Sequence, residues 1–107
     1  MFELRYYRAP DGGSPFADWF AFLDVIARAK VTVAISRLER GNLSNVKSVR
    51  QGVLEYRIDF GPGYRVYFGR DGGSLVILLT GGTKRRQQRD IERAQELWTD
   101  YKRRRLR

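Results

Sequence analysis

The chain has 107 residues, 42% of them hydrophobic, with 21 lysines and arginines against 12 acidic residues and a net charge of +9. That length fits one compact domain (1–107) rather than two, and the charge points to a polyanionic or acidic partner while saying little about fold. Cysteine and histidine are both absent, which excludes disulfides, thiolate nucleophiles, ordinary zinc sites and imidazole acid–base chemistry; any proton transfer falls to Lys, Arg, Glu, Asp or Tyr.

The opening MFELRYYR has no signal-peptide core, and no apolar run long enough to span a membrane follows, which predicts a cytoplasmic protein with no membrane role. Phe2 to Arg8 reads as a strand and Ala9 to Gly13 as a turn. Ser14 and Pro15 then mark a helix start, an N-cap followed by a proline whose missing N–H costs nothing there. Phe16, Trp19, Phe20, Leu23 and Ile26 recur at helical spacing, and the pattern continues through Val33, Ile35 and Leu38 to Gly41. So long a stretch predicts two helices in a hairpin, broken near Ala27–Val31.

Residues 42–52 have no period and read as a loop or irregular strand. Val53 to Phe60 alternates, with Leu54, Tyr56, Ile58 and Phe60 on one face and Glu55, Arg57 and Asp59 on the other. Gly63 to Gly69 alternates again, Tyr64, Val66 and Phe68 against Arg65 and Tyr67. A three-residue loop, Gly61 to Gly63, keeps like faces together by pairing Phe60 with Tyr64, Ile58 with Val66 and Tyr56 with Phe68. Arg57 then faces Tyr67 and Asp59 faces Arg65. Leu75 to Leu79 is apolar throughout, as in a central strand covered on both sides. A last helix spans roughly Arg86 to Arg103, burying Ile91, Ala94, Leu97 or Trp98, and Tyr101. Lys102 to Arg107 reads as a frayed basic tail that attracts nucleic acid without specificity. The order is β-α-α-β-β-β-α: an α+β domain with an antiparallel twisted sheet, an N-terminal helix hairpin on one face and the C-terminal helix packed nearby.

Two constellations could carry chemistry. Gly81 and Gly82 precede Lys84, Arg85, Arg86 and Arg89 at a helix start, where unpaired amides and the helix dipole can seat a phosphate. Cations in a first turn oppose that dipole, so stability alone does not explain them, although Arg86–Asp90 could be an ordinary surface pair. The second constellation is the polar sheet face, Glu55, Arg57, Arg65 and Tyr67. Arginine's planar fork suits phosphate. RNA cleavage by the adjacent 2′-OH needs such charge stabilisation together with a base and an acid, for which Glu55 and Tyr67 have suitable chemistry. The alternative is a solvated face of cross-strand pairs, Asp59–Arg65 above all. Stacking groups for single-stranded RNA are expected at Tyr67 or in the loop around Lys47 and Arg50; Phe16, Trp19 and Phe20 read as core.

LEYRI at 54–58, GPGYRVYF at 61–68 and LLTGGTK at 78–84, extended by Gln88 to Ile91 and Ala94 to Trp98, resemble the RelE/ParE toxin superfamily. The nearest likeness is to HigB-like, phage-related addiction-module killer proteins. The resemblance implies a RelE-like fold and the toxin of a type II toxin–antitoxin pair. Such toxins are mostly ribosome-dependent mRNA endonucleases that use no metal or cofactor, leave a cyclic phosphate and a 5′-OH, and are neutralised by a helix-turn-helix (HigA-like) antitoxin. By position, Arg65 resembles the family's phosphate-stabilising arginine and Arg57 a catalytic basic residue on the preceding strand. Glu55 falls where relatives vary between acid and base, and Lys84 matches the basic position after the last strand. Where some relatives carry a tyrosine or histidine after that strand as acid, base or stacking group, this chain offers Gln87, Gln88 and Asp90, with Asp90 the substitute and a third candidate proton handler. The ParE branch shares the fold and inhibits DNA gyrase without cutting RNA, so fold alone does not decide; a non-toxic nucleic-acid-binding module is the third reading.

Overall fold

The computed structural model describes residues 1–106. Its strands are β1 (Glu3–Tyr6), β2 (Val46–Ser48), β3 (Val53–Ile58), β4 (Tyr64–Asp71) and β5 (Leu75–Thr83). The helices are α1 (Pro15–Phe22), α2 (Val25–Glu39) and α3 (Gln87–Arg105), the last preceded by a 3-10 turn at Lys84–Arg86. The strands form one five-stranded sheet in the order β1-β5-β4-β3-β2. Phe16 of α1 and Ala27, Val31, Ala34 and Leu38 of α2 pack on one face against Tyr56, Val66, Phe68 and Leu78. On the other face Ala94, Leu97 and Trp98 of α3 cover Val53, Tyr67, Ile77 and Leu79. This is the RelE-like α+β arrangement, with β2 as the irregular strand within 42–52. No described helix is long and apolar enough to cross a membrane.

Four details depart from the sequence reading. The sheet is mixed, because β1 pairs parallel with β5 (Glu3 with Leu75, Tyr6 with Leu78). The helix hairpin carries the chain from one edge of the sheet to the other, and β1 closes the side of β5 that would otherwise be an exposed apolar edge. The hairpin breaks at Leu23–Asp24 rather than at Ala27–Val31. Leu23 is extended, and the Asp24 side chain accepts from the Ala27 amide at 2.8 Å to start α2. Ala27 and Val31 are buried contacts inside that helix.

The third departure is the β3–β4 register. Ile58 faces Tyr64, Tyr56 faces Val66 and Leu54 faces Phe68, which places Arg57 opposite Arg65 and Glu55 opposite Tyr67. A shift of two residues preserves the faces, but it moves Asp59 and Phe60 out of the ladder into the turn. The Phe60 amide bonds back to the Ile58 carbonyl (2.9 Å), and Gly63 to that of Phe60 (3.0 Å). No Asp59–Arg65 pair forms.

The fourth is the C-terminus. Lys102 to Arg105 are the last turn of α3 and not a frayed tail; Arg107 lies outside the described residues. Cations there suit the helix dipole, and two tyrosine–aspartate clasps hold the helix down. Tyr7 donates to Asp100 (2.6 Å), which also pairs with Arg104 (2.9 Å). Tyr101 donates to Asp71 (2.7 Å), which also pairs with Arg105.

Close packing also explains Gly81. A Cβ there would lie 2.3 Å from the Trp19 ring, so the indole rests directly on the strand backbone. Gly81→Ala is expected to destabilise the protein by about 1–3 kcal/mol in urea unfolding, the usual cost of overpacking a core. The clasps give a pH signature. Hydrogen bonds from Tyr7 and Tyr101 hold Asp100 and Asp71 below the ordinary carboxylate range. Depressed carboxylates stabilise the fold above their unfolded pKa, and that contribution is lost as pH falls through the folded value. Tyr7→Phe and Tyr101→Phe should therefore lower the melting temperature at neutral pH, with the deficit shrinking in acid.

Candidate functional site

The β3–β4 turn and the 3-10 turn after β5 meet at one end of the sheet. Lys84 donates its backbone N–H to the Gly63 carbonyl (2.9 Å), and Arg65 Nη1 donates to the same oxygen (2.7 Å). One carbonyl thus ties Lys84 to the hairpin tip and aims Arg65. Because Arg57 lies opposite Arg65 in the ladder, the three cations line one concave pocket of about 560 Å³. Asn45, Asp59 and Gly61 to Gly63 complete its wall. Three cations against one carboxylate favour an anion.

Beneath the pocket Glu55 is fully buried. It accepts from Arg57 Nε (3.3 Å) and Gln87 Nε2 (2.9 Å), and lies 3.9 Å from Arg65 Nε. The Arg65 side chain is only 7% exposed, while that of Arg57 is 49% exposed. A buried carboxylate stays in place only while its donors and counter-charges do, so Glu55 holds the Arg57 head by a hydrogen bond and balances the charge of Arg65, whose head the Gly63 carbonyl aims. Having no exposed surface, it does not meet solvent as a proton handler would.

Tyr67 is sealed under α3 with its hydroxyl unbonded. Burial first, then the charges of Glu55 and Asp90, push its pKa far above the ordinary phenol value. Its ring offers no face to a base, which corrects its placing among RNA-stacking groups. Asp90 lies behind the pocket, over Gly82, where a Cβ would strike its Oδ2. The glycine pair is therefore no phosphate loop: Gly81 and Gly82 are ladder residues of β5 opposite Val66 and Arg65, kept small to admit Trp19 and Asp90. Arg85, Arg86 and Arg89 line a separate hollow of about 500 Å³ with Gln88. Lys47, on β2, and Arg50, in the β2–β3 turn with φ 75°, line neither space.

The expected set thus divides. Arg57, Arg65 and Lys84 converge over Glu55, Asp90 is set back, and the remaining cations lie outside. Asn45 and the Gly63 carbonyl were missed: one sits in an aperiodic segment, and a backbone oxygen has no signature in residue type. Among the described residues no cluster of carboxylates could hold a metal ion.

Residues 18–99, a span holding every residue of this pocket, match the family model described as Phage derived protein Gp49-like (DUF891). The chain belongs to this family. The Gp49-like family is related to the RelE and addiction-module killer proteins, the relation that the motifs carry. An uncharacterized protein of Haemophilus influenzae is 47% identical to this Gp49-like chain over 83 residues, 77% of the chain and 84% of that protein.

Asp90, set back from the pocket, gives the fold a further pH dependence. Burial raises its pKa, and Arg86 and Arg89 pull it part of the way back. A raised carboxyl pKa means that the ionised form costs stability above the unfolded value of 3.8 and that the cost disappears below it. Asp90→Asn is expected to raise the melting temperature at neutral pH, with the gain vanishing in acid.

Proposed function

We propose that this protein is the toxin of a type II toxin–antitoxin pair, HigB-like in its branch, and that it cuts mRNA on the ribosome. The observation that carries the reading is the convergence of Arg57, Arg65 and Lys84 in one concave pocket above a buried carboxylate. The family's relation to addiction-module killers supports the toxin role, and the net charge of +9 suits an acidic, extended segment of a helix-turn-helix antitoxin wrapped over the basic groove.

In this mechanism a backbone phosphate of the message sits against Arg65 and Lys84, with Arg57 beside it in the same pocket. The neighbouring 2′-oxygen bonds to phosphorus as the bond to the 5′-oxygen breaks, leaving a 2′,3′-cyclic phosphate and a 5′-OH. Negative charge grows on the non-bridging oxygens in the transition state, and fixed cations stabilise it without reorganising. Glu55 is a positioning residue here. The 2′ proton leaves to solvent, and exposed Lys84 is the group placed to protonate the departing 5′-oxygen. No cofactor enters.

One observation favours a second reading. Of the expected proton handlers Glu55, Tyr67 and Asp90, the first two are sealed and Asp90 does not line the pocket, as suits a ParE-like toxin that binds gyrase without cutting RNA. Cell-free translation with mapped mRNA ends separates the two. Wild-type protein should yield new message ends, and Arg65→Ala should lower the cutting rate about 100-fold or more, the usual loss for one charge-stabilising donor. Lys84→Ala, at an exposed position, should lower it without affecting folding. Intact message with inhibited supercoiling would assign the gyrase role.

A further inference from the structure

A second hollow of about 320 Å³ opens beside the phosphate pocket, between α2 and the β3–β4 turn. The two share Asn45, Arg57, Ile58 and Asp59 as lining and so adjoin along those residues. Lys30 and Arg37, both exposed on α2, add two cations on its far side, and Phe60 adds an aromatic ring. Phe60 is 38% exposed, and Lys30 Nζ lies 4.8 Å from its ring centroid. The turn that expels Phe60 from the β3 ladder is what places the ring there.

We propose that this groove is a second nucleotide subsite, taking the base and sugar-phosphate next to the phosphate held by Arg65 and Lys84. Cations along a backbone track combined with an exposed aromatic ring are what sequence-tolerant binding of single strands needs. Arg57, at the junction, contacts the strand on both sides. Asp59 lines both hollows at the same junction, and its charge would repel a phosphate that shifted sideways. The subsite rests on the nucleic-acid reading above and extends it to Lys30, Arg37 and Phe60, none of which that reading uses.

The test uses the full-length protein and a fluorescent six-nucleotide single-stranded oligodeoxynucleotide, which lacks the 2′-OH and cannot be cut. Anisotropy is measured across a salt series. Each phosphate neutralised on a single strand contributes roughly 0.7 to the slope of log affinity against log salt. Lys30→Ala/Arg37→Ala should reduce that slope by about 0.7 to 1.4. Phe60→Leu should weaken binding about fivefold or more with the slope unchanged, as expected for a lost stacking platform. All three side chains lie at the surface, and a thermal melt checks each variant. An unchanged slope in the double variant, alongside a reduced one in Lys84→Ala, would leave the nucleic-acid reading standing and overturn the subsite. Absence of oligonucleotide binding by wild-type protein at low salt would remove both. Unchanged oligonucleotide affinity with lost affinity for poly-glutamate would overturn the subsite by assigning the groove to an acidic protein segment.

Discussion

The buried carboxylate of Glu55 is the contact on which the site depends. Removing a carboxylate from water costs several kcal/mol, and only well-placed donors offset that. Here the donors are the Arg57 guanidinium and the Gln87 amide, and the positive charge of Arg65, 3.9 Å away, adds an ion pair without a hydrogen bond. The dependence runs both ways. Without the carboxylate, Arg65, almost wholly buried, would be an uncompensated charge, and Arg57 would be free to swing into solvent. One carboxylate therefore links β3, β4 and the start of α3 and balances two cations of an anion pocket.

The sheet makes this possible by being covered on both faces. Trp19 lies on the backbone of Gly81 from the hairpin side, and Asp90 presses on Gly82 from the α3 side. Adjacent glycines of one strand thus admit opposite layers where the chain leaves the sheet toward Lys84. The pocket forms at that rim because the polar residues further in, Glu55 and Tyr67, are roofed by α3. Rigid elements consequently hold the pocket cations, and the outer arginines of α3 remain a separate, exposed group.

Much of the fold was legible because apolar periodicity is a direct record of burial. Alternation in 53–60 and 63–69 identified both strands and both faces, and the apolar run at 75–79 identified a strand covered twice. The departures have local physical causes. The Leu23–Asp24 break is a capping event inside an unbroken apolar pattern. The two-residue register shift keeps every face, so alternation is blind to it. The tail became helix because Asp71 and Asp100, far away or one turn back, anchor its cations.

Residue type, order and spacing determined the α+β class, the separation of apolar from charged faces, and the gathering of arginines on one side of the β3–β4 hairpin. Tertiary structure alone decided what that charged face is. Alternation states that a strand has two faces, not whether a helix lies over the second, and α3 covers it as far as Glu55 and Tyr67. It thereby turned two expected proton handlers into core, left Arg57, Arg65 and Lys84 at the rim, and let the turn at Phe60 open a groove that no short-range pattern encodes.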